Sequence, residues 1–186
     1  MDQRGLVERA RGGDHDAFAA LVDVSVARLE ATAWLIVRDR ELARDVVQDA
    51  LLRAWRDLPG LRDPDRFDAW LQRLLVNTSL MAIRRRRRRP IEVELQPIVP
   101  NSEPDPAGAI ADRDELERAF AHLEPEQRAV VVLRYFLGMP MADIASVLGI
   151  PLGTAKSRLN RALSTMRVVV GPRDLETGPF TEGHLA

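Results

Sequence analysis

The sequence predicts an all-α chain: two small helical domains, the second containing a helix-turn-helix, joined by an extended acidic, proline-rich linker. Three observations carry that prediction. Apolar residues recur at the 3.6-residue helical period within 1–89 and again within 112–170. Between these stretches, Pro90, Pro97, Pro100, Pro104 and Pro106 alternate with Glu92, Glu94, Glu103 and Asp105, and residues 90–111 hold no basic side chain. Within 141–167, two short amphipathic patterns meet at Gly149, and all the positive charge lies in the second.

Asp14 predicts the N-cap of a first helix, in which Phe18, Leu21, Val22, Leu29 and Ala33 keep the period as far as a break at residues 38–40. Asp39 predicts the next cap. Leu42, Val46, Val47, Ala50, Leu51, Ala54, Trp55 and Leu58 then form a broad inward face that Pro59 and Gly60 end. The opposite face of the same helix carries Asp45, Gln48, Asp49, Leu52 and Arg56. One outward leucine is ordinary surface. Ringed by Asp45, Gln48 and Asp49, it also matches the apolar centre of a small protein-binding patch with a polar rim.

Residues 61–66 form a polar loop punctuated by Asp63 and Pro64. In the helix that follows, Phe67, Trp70, Leu71, Leu74, Thr78 and Met81 fall on one side, which marks them as core and the two aromatics as packing rather than base-stacking groups. This helix runs into Arg84, Arg85, Arg86, Arg87, Arg88 and Arg89 and stops at Pro90. Guanidiniums all round a helix axis repel one another unless polyanion is near. Their place at the end of a core-forming helix favours a phosphate-tracking surface over a nuclear-import signal or nonspecific tail. Fully stretched, the linker at 90–111 spans on the order of 65 Å. One DNA turn is roughly 35 Å, so two tethered modules can sit apart on a single duplex.

Leu116, Ala119, Phe120 and Leu123 give a modest helical pattern. Glu124 and Pro125 open another helix, with Ala129, Val130, Leu133 and Phe136 inward and Gly138 ending it. Ile144, Ala145 and Leu148 then mark two turns of helix closed by Gly149. After Ile150 and Pro151, Leu152, Ala155, Leu159, Ala162, Leu163 and Met166 make a core face. Thr154, Ser157 and Arg161 lie opposite it, flanked by Lys156, Arg158 and Asn160. This second helix suits a major groove, with Arg and Lys donating to guanine edges and phosphates and Asn able to pair with adenine. Residues 171–186 are polar and predict a flexible tail.

The 186 residues are 46% hydrophobic, enough for packed cores, and the 27 basic and 28 acidic side chains balance. Their distribution is uneven: 18 basic and 14 acidic groups in 1–90, 2 and 8 in 91–118, and 4 and 0 in 151–170. Without cysteine there are no disulfides or thiolate metal sites, so a reducing cytoplasm is the expected setting. A charged N-terminus and the lack of a long apolar run predict neither signal peptide nor membrane insertion. His15, His122 and His184 have no metal-ligand spacing and no Gly-rich phosphate loop occurs, so neither an enzyme nor a cofactor is expected.

Two readings stand on the residues alone. A stand-alone helix-turn-helix regulator needs more than the roughly 600–1,000 Å² that one small recognition module buries, and usually dimerises to gain it. No seam for a homo-oligomer is evident. A subunit that borrows affinity from a large partner fits the second basic zone better.

The run DVVQDALLRAW, then DPDRFDAWLQRLLVNTSLMAIRRRRRR, then the acidic linker, then LEPEQRAVVVLRYFLGMPMADIASVLGIPLGTAKSRLNRAL resembles the extracytoplasmic function (ECF) group of bacterial RNA polymerase sigma factors. The resemblance covers about residues 14–167. It implies that Asp45, Gln48, Asp49, Leu52 and Arg56 dock on the core RNA polymerase. It implies further that the loop bearing Arg62, Asp63 and Arg66, with Asn77, engages the minus-ten promoter element, and that the arginine run follows nearby phosphates. Thr154, Lys156, Ser157, Arg158, Asn160 and Arg161 match the helix that reads the minus-thirty-five element of promoter DNA, and an anti-sigma factor is a further partner of such proteins. Two positions depart from the family pattern. Met81 stands where an aspartate is common, and Pro140 where a serine or threonine often caps the helix-turn-helix.

Overall fold

The computed structural model describes residues 2–88 and 109–170, and every regular element among them is helical. Arg89, nearly all of the expected linker and the expected tail at 171–186 lie outside the described residues. The last expected linker residues, from Ala109, already belong to a helix.

Helix α1 (Gln3–Arg11) is one that periodicity alone does not reveal, because it buries only Val7 and Ala10 and is framed by Gly5, Gly12 and Gly13. It forms because the Asp2 carboxylate accepts from the Gly5 N–H at 2.9 Å while Arg9 and Arg11 sit in the last turn, where positive charge suits the helix dipole. Helix α2 (His15–Val37) starts at the predicted cap, Asp14 accepting from the Ala17 N–H at 3.0 Å. It ends at Arg38, which adopts the left-handed conformation (φ 60°) and donates its N–H to the Trp34 carbonyl at 2.8 Å. Such a conformation strains a non-glycine residue by about 1–2 kcal/mol. The Arg38 guanidinium is stacked 4.6 Å from the Trp34 ring centroid, an attraction that helps hold the corner.

Asp39 then caps α3 (Arg40–Asp57) through the Leu42 N–H at 2.9 Å. Short 3₁₀ turns at Leu58–Gly60 and Pro64–Arg66 lead into α4 (Phe67–Arg88). Helices α2, α3 and α4 pack on one another, with α1 against α2. Leu29, Ile36, Val46, Phe67, Leu71 and Leu75 are almost wholly buried.

Helix α5 (Ala109–Ala121) and α6 (Pro125–Val131) come next, and α6 runs into a π turn, Val132–Phe136. Helices α7 (Met141–Leu148) and α8 (Leu152–Val170) form the helix-turn-helix. Gly149 (φ 64°) supplies the left-handed stop between them, and the Ile150 N–H returns to the Ala145 carbonyl at 3.0 Å. Pro140 takes the N-cap position of α7 with extended backbone and no side-chain hydrogen bond.

Four side chains expected inward face out: Phe136, Leu116, Met81 and, at the start of α8, Leu152. The π turn places an extra residue in the helical path, so the phase shifts and Phe136 is 47% exposed. Leu116 is exposed on α5. Met81 is 53% exposed because α4 is buried on two different sides along its length. Near its start Phe67, Leu71 and Leu75 are inward; further on the buried row is Val76, Leu80 and Ile83, at i, i+4 and i+7.

That second row marks the largest difference from the sequence expectation. Helices α6 and α7 pack on α4, and α6 and the π turn pack on α2, so the two helical groups share one continuous apolar core rather than standing apart. A polar bond joins the same seam: the Arg128 guanidinium of α6, only 9% exposed, donates to the Ile36 carbonyl of α2 at 2.9 Å and to the Leu123 carbonyl at 3.2 Å.

Candidate nucleic-acid and protein-binding surfaces

The outward face of α3 is built by its cap and its core row. With Ala43, Val46, Val47, Ala50 and Ala54 buried, Asp45, Gln48 and Asp49 are left in water, and Leu52 among them is 61% exposed. Arg56, at the end of the row, pairs with Asp57 at 2.8 Å. Hydrogen bonding from Arg56 holds the Asp57 carboxyl below its ordinary value. Met81 joins this side of the molecule, its sulfur 4.0 Å from an Arg53 Nη1. The result is an apolar spot inside an acidic and amide rim, as the sequence predicts.

The loop after α3 is anchored by Leu61 and Pro64, both buried, which leaves Arg62, Asp63 and Arg66 exposed. The Asp63 carboxylate accepts from the Asp65 N–H at 3.1 Å, and Asp65 is tied to Arg4 of α1 at 2.9 Å. The otherwise unanticipated α1 therefore braces this loop. Asn77 is half-buried on α4, between the buried Val76 and Thr78. Ser79 turns its hydroxyl back to the Leu75 carbonyl at 2.8 Å, whereas the buried Thr78 hydroxyl and the Gln72 Oε1 have no protein hydrogen-bond partner.

Arg84, Arg85, Arg86, Arg87 and Arg88 are all exposed. Three of them are occupied by acids: Arg84 by Glu126 at 3.0 Å, Arg87 by Glu124 at 3.1 Å, and Arg86 by Asp39. Arg85 and Arg88 have no acidic partner among the described residues. Burial pushes the Glu126 carboxyl upward, but the hydrogen bond from Arg84 and the nearby charges of Arg84 and Arg158 outweigh it, and the group lies below its ordinary 4.5. Asp39 is likewise held below 3.8, where burial is outweighed by the Leu42 N–H and by Arg86.

On α8, Ala155, Leu159, Ala162 and Met166 are buried. Lys156, Asn160 and Arg161 are exposed, and Thr154, Ser157 and Arg158 half-buried, so the six expected residues line one accessible side. The Arg161 guanidinium folds over its own helix: Nε donates to the Ser157 carbonyl and Nη2 to the Ser157 hydroxyl, both at 3.3 Å. Ser157 in turn donates to the Thr154 carbonyl at 3.0 Å.

Sequence reasoning missed the residues at the seam. Besides Arg128, Arg38 of the α2–α3 corner pairs with Glu117 of α5 at 3.4 Å, each side chain about 15% exposed. Burial, with repulsion from Arg38 and Arg87, lowers the Arg128 pKa to about 10. The signal was present: an arginine at the very edge of the apolar run 129–133, and a second apolar row on α4. Beside the seam lies a cleft of about 300 Å³ lined by Trp34, Leu35, Phe120 and the exposed Leu116, Tyr135 and Phe136. No group of residues able to hold a metal ion occurs among the described residues, and no helix among them is long and apolar enough to cross a membrane.

Comparison with known proteins gives two family matches, Sigma-70 region 2 over residues 21–89 and Sigma-70, region 4 over residues 113–166. The chain is 36% identical over 145 residues to the RNA polymerase sigma-E factor of Streptomyces avermitilis, covering 78% of this chain and 80% of that one. It is 34% identical over 159 residues to the ECF RNA polymerase sigma factor SigM of Mycobacterium tuberculosis, covering 86% and 80%. Among solved structures it is similar to the sigma factor RpoE of Bartonella quintana, crystallised with the anti-sigma factor NepR. That match has a TM-score of 0.69 and 26% identity, and covers 82% of this chain and 96% of that one.

Proposed function

The chain belongs to the sigma-70 family of RNA polymerase sigma factors, in its ECF group, and from that premise we propose how its surfaces divide the task of directing RNA polymerase to promoters. It supplies specificity rather than catalysis. Residues 1–89 form the unit that docks on core RNA polymerase and engages the minus-ten element. Residues 112–170 form the unit that reads the minus-thirty-five element, 90–111 link the two, and 171–186 are a tail.

Docking runs through the outward row of α3. Leu52 enters an apolar site on the polymerase while Asp45, Gln48, Asp49 and Arg56 surround it, a centre and rim of the kind that protein interfaces use. Arg62, Asp63, Arg66 and Asn77 approach the minus-ten bases, and the arginines from Arg84 to Arg88, with Arg89, follow phosphates. The α8 helix enters the major groove with Thr154, Lys156, Ser157, Arg158, Asn160 and Arg161. Likeness to a sigma factor solved with its anti-sigma factor supports such a protein as a further partner. No cofactor, membrane insertion or homo-oligomer is needed, and the work belongs in the cytoplasm with the polymerase.

The observation that carries this reading is the exposure of Leu52 inside its acid and amide rim. Run-off transcription with core polymerase on a pool of promoters tests the whole. The triple variant Asp45→Lys, Asp49→Lys, Leu52→Ala is expected to lose core binding at least about tenfold, the effect of roughly 1.4 kcal/mol at a contact centre, with its thermal unfolding unchanged. Core binding equal to that of the parent rejects the docking face. Tight sequence-specific binding by the chain alone, without polymerase, rejects the division of labour.

A further inference from the structure

A groove of about 540 Å³ follows one face of α2 from Ala20 to Leu29, about 14 Å at 1.5 Å per residue. Its floor is Leu21, Leu29, Phe67 and Leu71, all buried, and Leu137 and Met139, from the segment between the π turn and α7, form one wall. None of the residues assigned above to polymerase or promoter lines it. Val24 at its edge is 88% exposed, more than any other large apolar side chain among the described residues. The polar groups of the groove lack protein partners. Gln72 is half-buried, and its Oε1 is shut off from water and accepts no hydrogen bond, a state that destabilises a fold unless a donor is supplied. Asp68 lies one turn earlier on the same side of α4, and Arg28 lies on α2. Both are exposed, and neither forms an ion pair with the other or with any described residue.

We propose that this groove binds a small zwitterion with an apolar body, of the size and chemistry of a free tripeptide of apolar residues. The volume falls within the roughly 300–1,000 Å³ of small-molecule sites, and an apolar floor with a few convergent polar groups is their usual make-up. The polar groups select the ligand. Asp68 and Gln72 offer two oxygen acceptors one helical turn apart, and an ammonium carries three donors and no acceptor. Nothing holds the Gln72 amide where it is, and its terminal torsion is a broad one, so Oε1 turns into the groove when a donor arrives. Arg28 offers a guanidinium to a carboxylate, a charge-assisted pairing. Because Asp68 and Arg28 stand apart in one groove, a ligand of single charge complements only one of them, whereas a zwitterion complements both. An extended chain covers about 3.3–3.6 Å per residue, so three residues span about 10 Å and fit within the length of the groove. Their side chains rest on the leucines and Phe67 and cover Val24.

The test is isothermal titration of the full chain with trileucine, with N-acetyl-trileucine, which lacks the ammonium, and with trileucine amide, which lacks the carboxylate. Trileucine is expected to bind saturably at one site. Acetylation should weaken binding at least about tenfold, because it removes a charge-assisted donor from two acceptors. Amidation should weaken it by about threefold to tenfold, since Arg28 is a single exposed partner. Asp68→Asn should shrink the preference for free over acetylated peptide at least about threefold. Asp16→Asn, the same charge change on α2 away from the groove, should leave that preference as it is. Gln72→Leu should weaken trileucine by about fivefold. Its thermal midpoint should stay at or above the parent's, because no buried acceptor is then left unmet. Helical circular dichroism verifies that each variant folds. Absence of saturable trileucine binding overturns the proposal, and so does equal binding of the free and acetylated peptides. Binding that Asp68→Asn, Gln72→Leu and Arg28→Gln all leave unchanged puts the peptide elsewhere on the chain and overturns it as well. Neither polymerase nor promoter enters the assay, so its outcome is independent of the division of labour proposed above.

Discussion

Replacing Arg161 with alanine separates a base contact from a phosphate contact, and the structure sets the size of the expected effect. The guanidinium carries five N–H donors. Nε and one Nη2 donor are engaged by Ser157 of the same helix, which leaves three directed away from the helix backbone. A bidentate contact to a guanine edge needs two, so the side chain can read a base without giving up the bonds that orient it. Losing such a contact costs about 1–3 kcal/mol of discrimination at one base pair, roughly 5- to 160-fold. The assay is competitive transcription by holoenzyme on templates carrying every single substitution in the minus-thirty-five element. Arg161→Ala should flatten preference at one position and leave the others as they are. Arg161→Lys should behave nearly alike, because an ammonium cannot reproduce the fork. Equal loss on all templates refutes base reading and assigns Arg161 to phosphate.

Two other expectations concern the fold. Gly149→Ala should destabilise the chain by about 1–2 kcal/mol in urea unfolding, since the position has φ 64° and nothing lies within 4 Å to clash with a new methyl, so the cost is backbone strain alone. Acid should weaken the fold in a defined direction. Asp14, through the Ala17 N–H and Arg9, and Asp39 and Glu126, through the bonds described above, all lie below their ordinary values of 3.8, 3.8 and 4.5. Their stabilisation is therefore complete above about pH 5 and is lost as pH falls through the depressed folded-state values. Thermal midpoints measured from pH 7 down to pH 3 should decline, and less steeply for Asp39→Asn. An unchanged slope in that variant refutes the assignment.

Local chemistry was legible in the sequence where one residue decides a boundary. Asp14 and Asp39 start helices, Gly149 stops one, and the alternation of inward alanines and valines with Asp45, Gln48, Asp49 and Leu52 fixes which side of α3 meets water. The sigma-family resemblance was legible as well, because it rests on several motifs in fixed order. What escaped was set by contacts between distant segments. Met81 continues the period of Phe67 but is left outside because the burying partners of α4 change along its length. The same change explains why Leu80 and Ile83 are buried. Helical periodicity says nothing of where the Arg128 donors go, because their acceptor, the Ile36 carbonyl, lies at the distant C-terminus of α2. Helix α1 depends on one aspartate and two small buried groups, too few to stand out against its glycines.

The π turn at Val132–Phe136 makes the surface beside it sensitive to the length of this stretch. A wide turn of this sort is what a helix becomes when one residue is inserted, and a single deletion in that stretch would restore the ordinary hydrogen-bond ladder. The aromatic now in solvent at Phe136 would rotate away and the cleft beside Trp34 would lose part of its wall. Sequence length, not side-chain identity, would then govern whether this surface is greasy or smooth.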